Sequence, residues 1–205
     1  MIYEIRTYTL RPGTLPEVIK RFGDNYEHRR KHSELAAFWY TEIGPLNQII
    51  HVWPYENAEE RVKVRAATLM DPNWPPPIGE FLVDMNSEIF TPFPDAPQFE
   101  PGNHGPIYEM RSYILKAGSI PKMIKIWNGA IGPRAERSPV AAALYTDTGQ
   151  LNKFVHIWPY SGLDSRAEIR QKAVADGVWP PSGGLDLLVS QENKIMLPAP
   201  FSPML

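Results

Sequence analysis

The chain has no cysteine among its 205 residues. Disulfides, thiol nucleophiles and thiolate metal sites are therefore excluded. It has no run of about 18 apolar residues, so no helix of it is expected to cross a bilayer. It has no excess of positive charge: 21 Lys+Arg stand against 23 Asp+Glu, a net charge of −2. That removes the electrostatic reason to expect nucleic acid or an anionic membrane as partner. It has no glycine-rich phosphate loop, no Gly-x-Ser-x-Gly elbow and no Rossmann fingerprint, so nucleotide-dependent and serine-hydrolase chemistry has no support. Carboxylates clustered at metal-ligand spacing are also missing. His28 and His32 stand one helical turn apart, but in the basic run His28-Arg29-Arg30-Lys31-His32, whose repeat counterparts include Pro133 and Arg137. That run reads as a solvated helix face. No metal and no organic cofactor are expected. The opening MIYEIRTYTL has neither a basic stretch before an apolar one nor an Arg/Ser-rich amphipathic segment. It carries no targeting signal, and the expected compartment is the cytoplasm.

What the chain has in plenty is proline, 22 residues. That is about twice the usual ~5%. Proline lacks an N–H and clashes with the preceding turn, so long uninterrupted helices are disfavoured. With 43% hydrophobic and 21% charged residues the composition is nevertheless that of a folded chain. The length suits one large domain or two of about 100 residues.

Comparing the chain with itself resolves that choice. Ile2-Tyr3-Glu4-Ile5-Arg6-Thr7-Tyr8 returns as Ile107-Tyr108-Glu109-Met110-Arg111-Ser112-Tyr113, 105 residues later. His51-Val52-Trp53-Pro54-Tyr55 returns as His156-Ile157-Trp158-Pro159-Tyr160 at the same offset. Residues 2–76 align on 107–181 without a gap, with 29 identities in 75 positions; one residue is then inserted. Such a period is too long for a solenoid unit and marks a duplicated domain. The boundaries expected are 1–94 for the first copy, 95–106 for a proline-rich, semi-rigid linker and 107–205 for the second copy with its proline-rich tail. Twelve prolines form six repeat-matched pairs, such as Pro16 and Pro121 or Pro54 and Pro159. The excess is mostly element punctuation written twice.

Each copy reads as strand, helix, strand, strand, helix, strand. Residues 2–10 alternate with period two. Thr14-Leu15-Pro16-Glu17 fits a capping box, and a helix follows to about residue 32. In the second copy Gly132-Pro133 is expected to kink or end that helix. Residues 36–43 and 47–53 form a hairpin, with Pro54 stopping its second strand. Residues 58–70 are helical and 81–91 supply the last strand. The order βαββαβ predicts an α+β fold of two ferredoxin-like repeats packed sheet to sheet.

The opening Ile-Tyr-Glu-Ile-Arg-Thr-Tyr, the Asn47…His51-Val-Trp-Pro-Tyr55 stretch and the spacing of Arg61, Arg65 and Trp74 together resemble the NIPSNAP family, within the dimeric α/β-barrel superfamily. The resemblance implies a barrel that relatives build from two chains and that duplication builds here from one. It implies no settled activity. Relatives in the superfamily include cofactor-independent monooxygenases of aromatic polyketides, isomerases of lactones, and haem proteins whose axial histidine comes from a helix. The repeated histidines here read as strand residues, which disfavours haem. The long leader of the family's animal mitochondrial members is not seen.

Strand periodicity then selects the chemistry-bearing faces. Glu4, Arg6 and Tyr8 share one face of the first strand, repeated as Glu109, Arg111 and Tyr113. Asn47, His51 and Trp53 share a face of the third, repeated as Asn152, His156 and Trp158. Both faces are expected to line the barrel interior, with Tyr40 and Tyr145 beside them. Buried Glu and Arg must pair, within a copy or across copies. The expected site is a polar barrel cavity with aromatic walls holding a small anionic or carbonyl-bearing molecule. Its catalytic candidates are His51, His156, Tyr40 and Tyr145, with the remaining residues of these faces binding ligand. Arg61, Arg65, Arg166 and Arg170 are expected to pair with acidic groups, or to cap loops around the Trp-Pro-Pro segment, rather than clamp an anion. The alternatives are a cofactor-independent monooxygenase or isomerase of small molecules and a non-catalytic binding or scaffold protein; a homodimer of the pseudo-dimeric chain is a further expectation. The halves differ at Trp39/Leu144, Phe38/Ala143 and Glu42/Asp147, so the two pockets need not be equal.

Overall fold

The computed structural model describes residues 1–205. The first copy runs β1 (Ile2–Leu10), α1 (Leu15–Arg30), β2 (Ala37–Ile43), β3 (Gln48–Tyr55), α2 (Ala58–Leu69) and β4 (Leu82–Pro92). The second runs β5 (Ile107–Leu115), α3 (Ile120–Ala135), β6 (Ala142–Thr148), β7 (Lys153–Tyr160), α4 (Leu163–Ala175) and β8 (Leu188–Pro198). No helix is long and apolar enough to cross a membrane.

Two local expectations fail for identifiable reasons, and a third, the end of α3 at Pro133, holds to within two residues. The Thr14 hydroxyl does not cap α1; it donates to the Arg11 carbonyl at 2.7 Å, while Asn57 does cap α2 by accepting from the Glu60 N–H at 3.0 Å. Helix α3 runs through Pro133 to Ala135. The proline lies in the last turn, so it forgoes a single backbone bond. Strand β3 runs through Pro54 to Tyr55. The Val52 carbonyl accepts from Ala36, which shows that even-numbered residues here present their backbone to the β2 side. Strand β2 starts at Ala37 opposite Val52, so at Pro54 no neighbour asks for the missing donor.

Each copy forms the antiparallel sheet β4-β1-β3-β2, or its equivalent, and the two sheets join edge to edge. Strand β2 pairs with β8 and β4 pairs with β6, closing one eight-stranded barrel in the order β1-β3-β2-β8-β5-β7-β6-β4. Closure leaves no sheet edge open for association. The helices lie outside.

The barrel interior is apolar, contrary to the polar cavity expected there. Tyr3, Ile5, Trp39, Ile50 and Val52 from the first copy meet Tyr108, Met110, Leu144, Val155 and Ile157 from the second in one buried cluster. The faces carrying Glu4, Arg6 and Tyr8, and His51 and Trp53, point instead to the helices. The reason is charge: Glu4 needs counter-ions, and the arginines that supply them sit on α2. One end of the barrel is closed by the linker and the final segment. Phe99 packs edge-on to Tyr3 at 4.9 Å between ring centroids, and Met204 is buried in the same cluster.

Between each sheet and its helices lies a separate core. The two joins send the ends of β4 and β8 across into the other copy's core. Phe93 buries against Trp127 and Phe154 of the second copy, and Ala199 and Phe201 pack into the first.

Candidate functional site

Glu4 is the centre of the first copy's helix-side layer and has no exposed surface. It accepts from Arg61 at 2.7 Å, Arg6 at 3.1 Å and Ser87 at 2.7 Å, with Arg65 at 3.6 Å. Tyr55 donates to its other oxygen at 3.4 Å and accepts from Arg29 at 3.0 Å. Burial pushes the Glu4 carboxyl up. The hydrogen bonds from Arg61 and Ser87 and the charges of Arg6 and Arg61 outweigh it, and hold the group at about 2. The carboxylate is ionised under all ordinary conditions. One negative charge therefore serves Arg6, Arg61, Arg65 and, through Tyr55, Arg29. Three positive charges are left over.

Those charges face a cavity of about 290 Å³ between sheet and helices. Arg6, Arg29 and Arg65 line it, Tyr8, Phe22 and Trp74 form aromatic walls, and no carboxylate does. Arg6 donates to the Tyr8 hydroxyl at 2.6 Å. The Arg29 guanidinium lies 4.2 Å above the Trp53 ring, a cation–π contact that holds it flat against the wall. Burial draws the Arg29 pKa down and the Tyr55 hydroxyl partly restores it. Burial raises the Tyr8 hydroxyl against the pull of Arg6, so it stays protonated.

His51 also lines this cavity, 2% exposed. The Trp53 indole N–H donates to its Nδ1 at 2.7 Å. An indole N–H is only a donor, so Nδ1 presents its lone pair and the neutral ring carries its proton on Nε2. That Nε2–H is buried without a protein partner. Burial first, then the Arg6 charge, pushes His51 down to about 3. A general base with its lone pair occupied does not fit this geometry; a neutral hydrogen-bond donor does. His156 has the same arrangement, with Trp158 donating at 2.5 Å, and burial holds it well below the ordinary value. Nitrogen-15 NMR should show both rings neutral with the proton on Nε2 from about pH 8 down to about pH 5, where an ordinary histidine titrates. A titration midpoint near 6.5, the ordinary value, would overturn this assignment.

The structure brings Glu4, Arg6, Tyr8, His51 and Trp53 together, and likewise Glu109, Arg111, Tyr113, His156 and Trp158. It does not bring the others. Tyr40 and Tyr145 lie on the helix side but outside both cavity linings. Asn47 and Asn152 are turn residues with φ of 58° and 57°. Asparagine tolerates that left-handed backbone where most residues do not, and the Asn152 side chain accepts from the Gly118 N–H at 3.1 Å. Their repetition records a turn, not a ligand contact. Sequence reading missed Phe22, Tyr55 and above all Arg29, 4% exposed inside the run read as a solvated face. The signal was available: within that run Arg29 is the residue that repeats unchanged, as Arg134. Arg61 and Arg166 pair with buried glutamates, as expected; Arg65 does so while also lining the cavity.

The NIPSNAP family model matches twice, over residues 3–97 and 108–203. The chain belongs to the NIPSNAP family. Human protein NipSnap homolog 3A is 30% identical over 221 residues, covering 100% of this chain and 86% of its own. A solved structure from Fusobacterium nucleatum shares the fold with a TM-score of 0.67 at 10% identity, over 97% of this chain and 92% of its own. One described as an anthrone oxidase-like protein does so at 0.61 and 9%, over 96% and 90%. At such identities the likeness is one of fold, and it extends along both copies of this NIPSNAP chain. No common activity comes with the family.

Proposed function

We propose that this NIPSNAP chain binds a small anionic molecule with an apolar, flat body in the cavity of its first copy. The carrying observation is the surplus of arginine charge facing an aromatic-walled cavity that no carboxylate lines. A carboxylate or sulfonate would offset one of the three surplus charges, and Arg65, 3.6 Å from Glu4 and otherwise uncommitted, offers a forked donor suited to it. Any chemistry done there would use His51 as a hydrogen-bond donor to a developing negative charge. A pure scaffold has no use for the surplus. The proposed compartment is the cytoplasm, to be checked by fractionation of expressing cells.

The test is calorimetric titration with naphthoate and its neutral analogue naphthamide. Naphthoate should bind and naphthamide should not. Arg65→Met should weaken naphthoate by about tenfold, the worth of one charge-assisted hydrogen bond. Equal binding of acid and amide would sink the reading.

A further inference from the structure

The charged machinery is duplicated, but the space in front of it is not. In the second copy Glu109 accepts from Arg111 at 2.8 Å and Arg166 at 2.6 Å, with Arg170 at 3.6 Å. Arg134 lies 4.2 Å above the Trp158 ring, the same distance as Arg29 above Trp53. Arg111 donates to Tyr113 at 2.6 Å, as Arg6 does to Tyr8. Yet the equivalent void is about 40 Å³, and neither an arginine nor a histidine lines it. The difference between the copies is therefore one of access and not of charge.

We infer that the chain carries one ligand site, because Trp127 and Leu185 occupy in the second copy the space that Phe22 and Gly79 leave open in the first. The inference rests on the function proposed above. Trp127 reaches Trp158 at 6.1 Å, Trp179 at 5.6 Å and His156 at 5.5 Å between ring centroids, bridging both tryptophan walls. Phe22, one ring smaller, meets Trp74 at 5.9 Å and His51 at 5.4 Å. Phe154 is pinned from behind by Phe93, stacked at 4.6 Å. In the first copy Phe38 supplies the corresponding ring, stacked on His51 at 5.5 Å with Phe201 behind it at 4.8 Å, so this layer is filled in both copies and the difference lies at Trp127 and Leu185. Leu185 lies at the mouth. At its counterpart Gly79, a Cβ would have nothing within 4 Å. The room a leucine would use is free there, and a ligand can use it instead.

Stoichiometry tests this. With naphthoate as probe, the wild-type chain should bind one equivalent. Two equivalents would overturn the inference while leaving the proposed function standing; no binding at all would overturn both. Gly79→Leu with Phe22→Trp copies the filled state into the open copy and should weaken binding by about tenfold or more. Unchanged affinity would show that these positions do not control access. In the opposite direction, Trp127→Phe with Leu185→Gly should add a second equivalent. Should either double variant fail to fold, Gly79→Leu alone still decides, since a Cβ there meets nothing within 4 Å.

Discussion

Glu4→Gln should lower the melting temperature by about 6–12 °C, corresponding to roughly 3 kcal/mol, and Glu109→Gln should do the same. Glutamine keeps the shape and an acceptor oxygen but removes the charge. Arg6, Arg61 and Arg65 would then face one another around a neutral group, with Arg29 behind Tyr55. Removing one partner of a buried ionic cluster leaves the others uncompensated, typically costing about 3–5 kcal/mol. The lower end applies because these arginines keep contact with water; Arg65 is 38% exposed in its side chain. A surface pair provides the contrast. Lys20 and Asp24 meet at 2.6 Å but are 68% and 57% exposed, and Asp24→Asn should change nothing measurable.

The same glutamates set the acid limit. Their pKa is lowered on folding from 4.5 to about 2. A depressed carboxylate contributes stability that is fully present above its unfolded value and lost as pH falls towards its folded value. The relevant window is 4.5 down to about 2. His51 acts with the same sign but earlier: neutral in the fold, it opposes protonation from 6.5 downward. Denaturation curves of wild type and Glu4→Gln should therefore stay parallel through the histidine range and converge below about pH 4.5, where the wild type gives up its own charge. Curves that remain parallel to pH 2.5 or so would show that Glu4 is not held ionised by its arginines.

Much of this was legible in the sequence because it is written twice. The repeat located the βαββαβ units, the paired prolines marked their ends, and the alternation of β1 and β5 put Glu, Arg and Tyr on one face. What alternation does not say is which way that face points. Period two gives two sides and no label. The label comes from where the counter-charges are, and these lie in helices: Arg29 in α1 and Arg61 and Arg65 in α2. The opposite faces, Tyr3 and Ile5 beside Ile50 and Val52, are apolar enough to fill a barrel, and that was the readable clue to the true orientation. Arg29 was hidden by its neighbours, because a basic run averages to a solvated face while one of its members turns inward. Asn47 and Asn152 misled for the opposite reason. They repeat because a left-handed turn repeats, and repetition alone does not separate a backbone requirement from a ligand contact. The cross-copy tails were invisible, since nothing in a single repeat says that its last strand will pair with the other copy.

That crossing carries the second large effect. A chain ending at Pro198 should lose about 5 kcal/mol, enough to threaten a domain of ordinary stability. The segment 199–205 enters the first copy and the barrel end together. Phe201 packs on Phe38 at 4.8 Å and on Tyr26 at 6.1 Å. The Ser202 hydroxyl accepts from the buried Phe38 N–H at 3.0 Å. Met204 is 1% exposed in the barrel cluster, and Leu205 exchanges backbone hydrogen bonds with Gly102 and His104 of the linker. Burying two such apolar side chains is worth about 1.5–3 kcal/mol each. Leaving the Phe38 N–H without a partner costs about 1–3 more. Graded versions keep the measurement possible if the truncated chain does not fold. Met204→Ala should cost about 2–4 kcal/mol by uncovering the barrel end, and Phe201→Ala about 2 by loosening α1 against β2. The two sites lie in different cores, so their costs should add. A truncated chain that melts within a degree or two of the full one would mean that each copy completes its own core, and that the joins β2·β8 and β4·β6 alone hold the barrel closed.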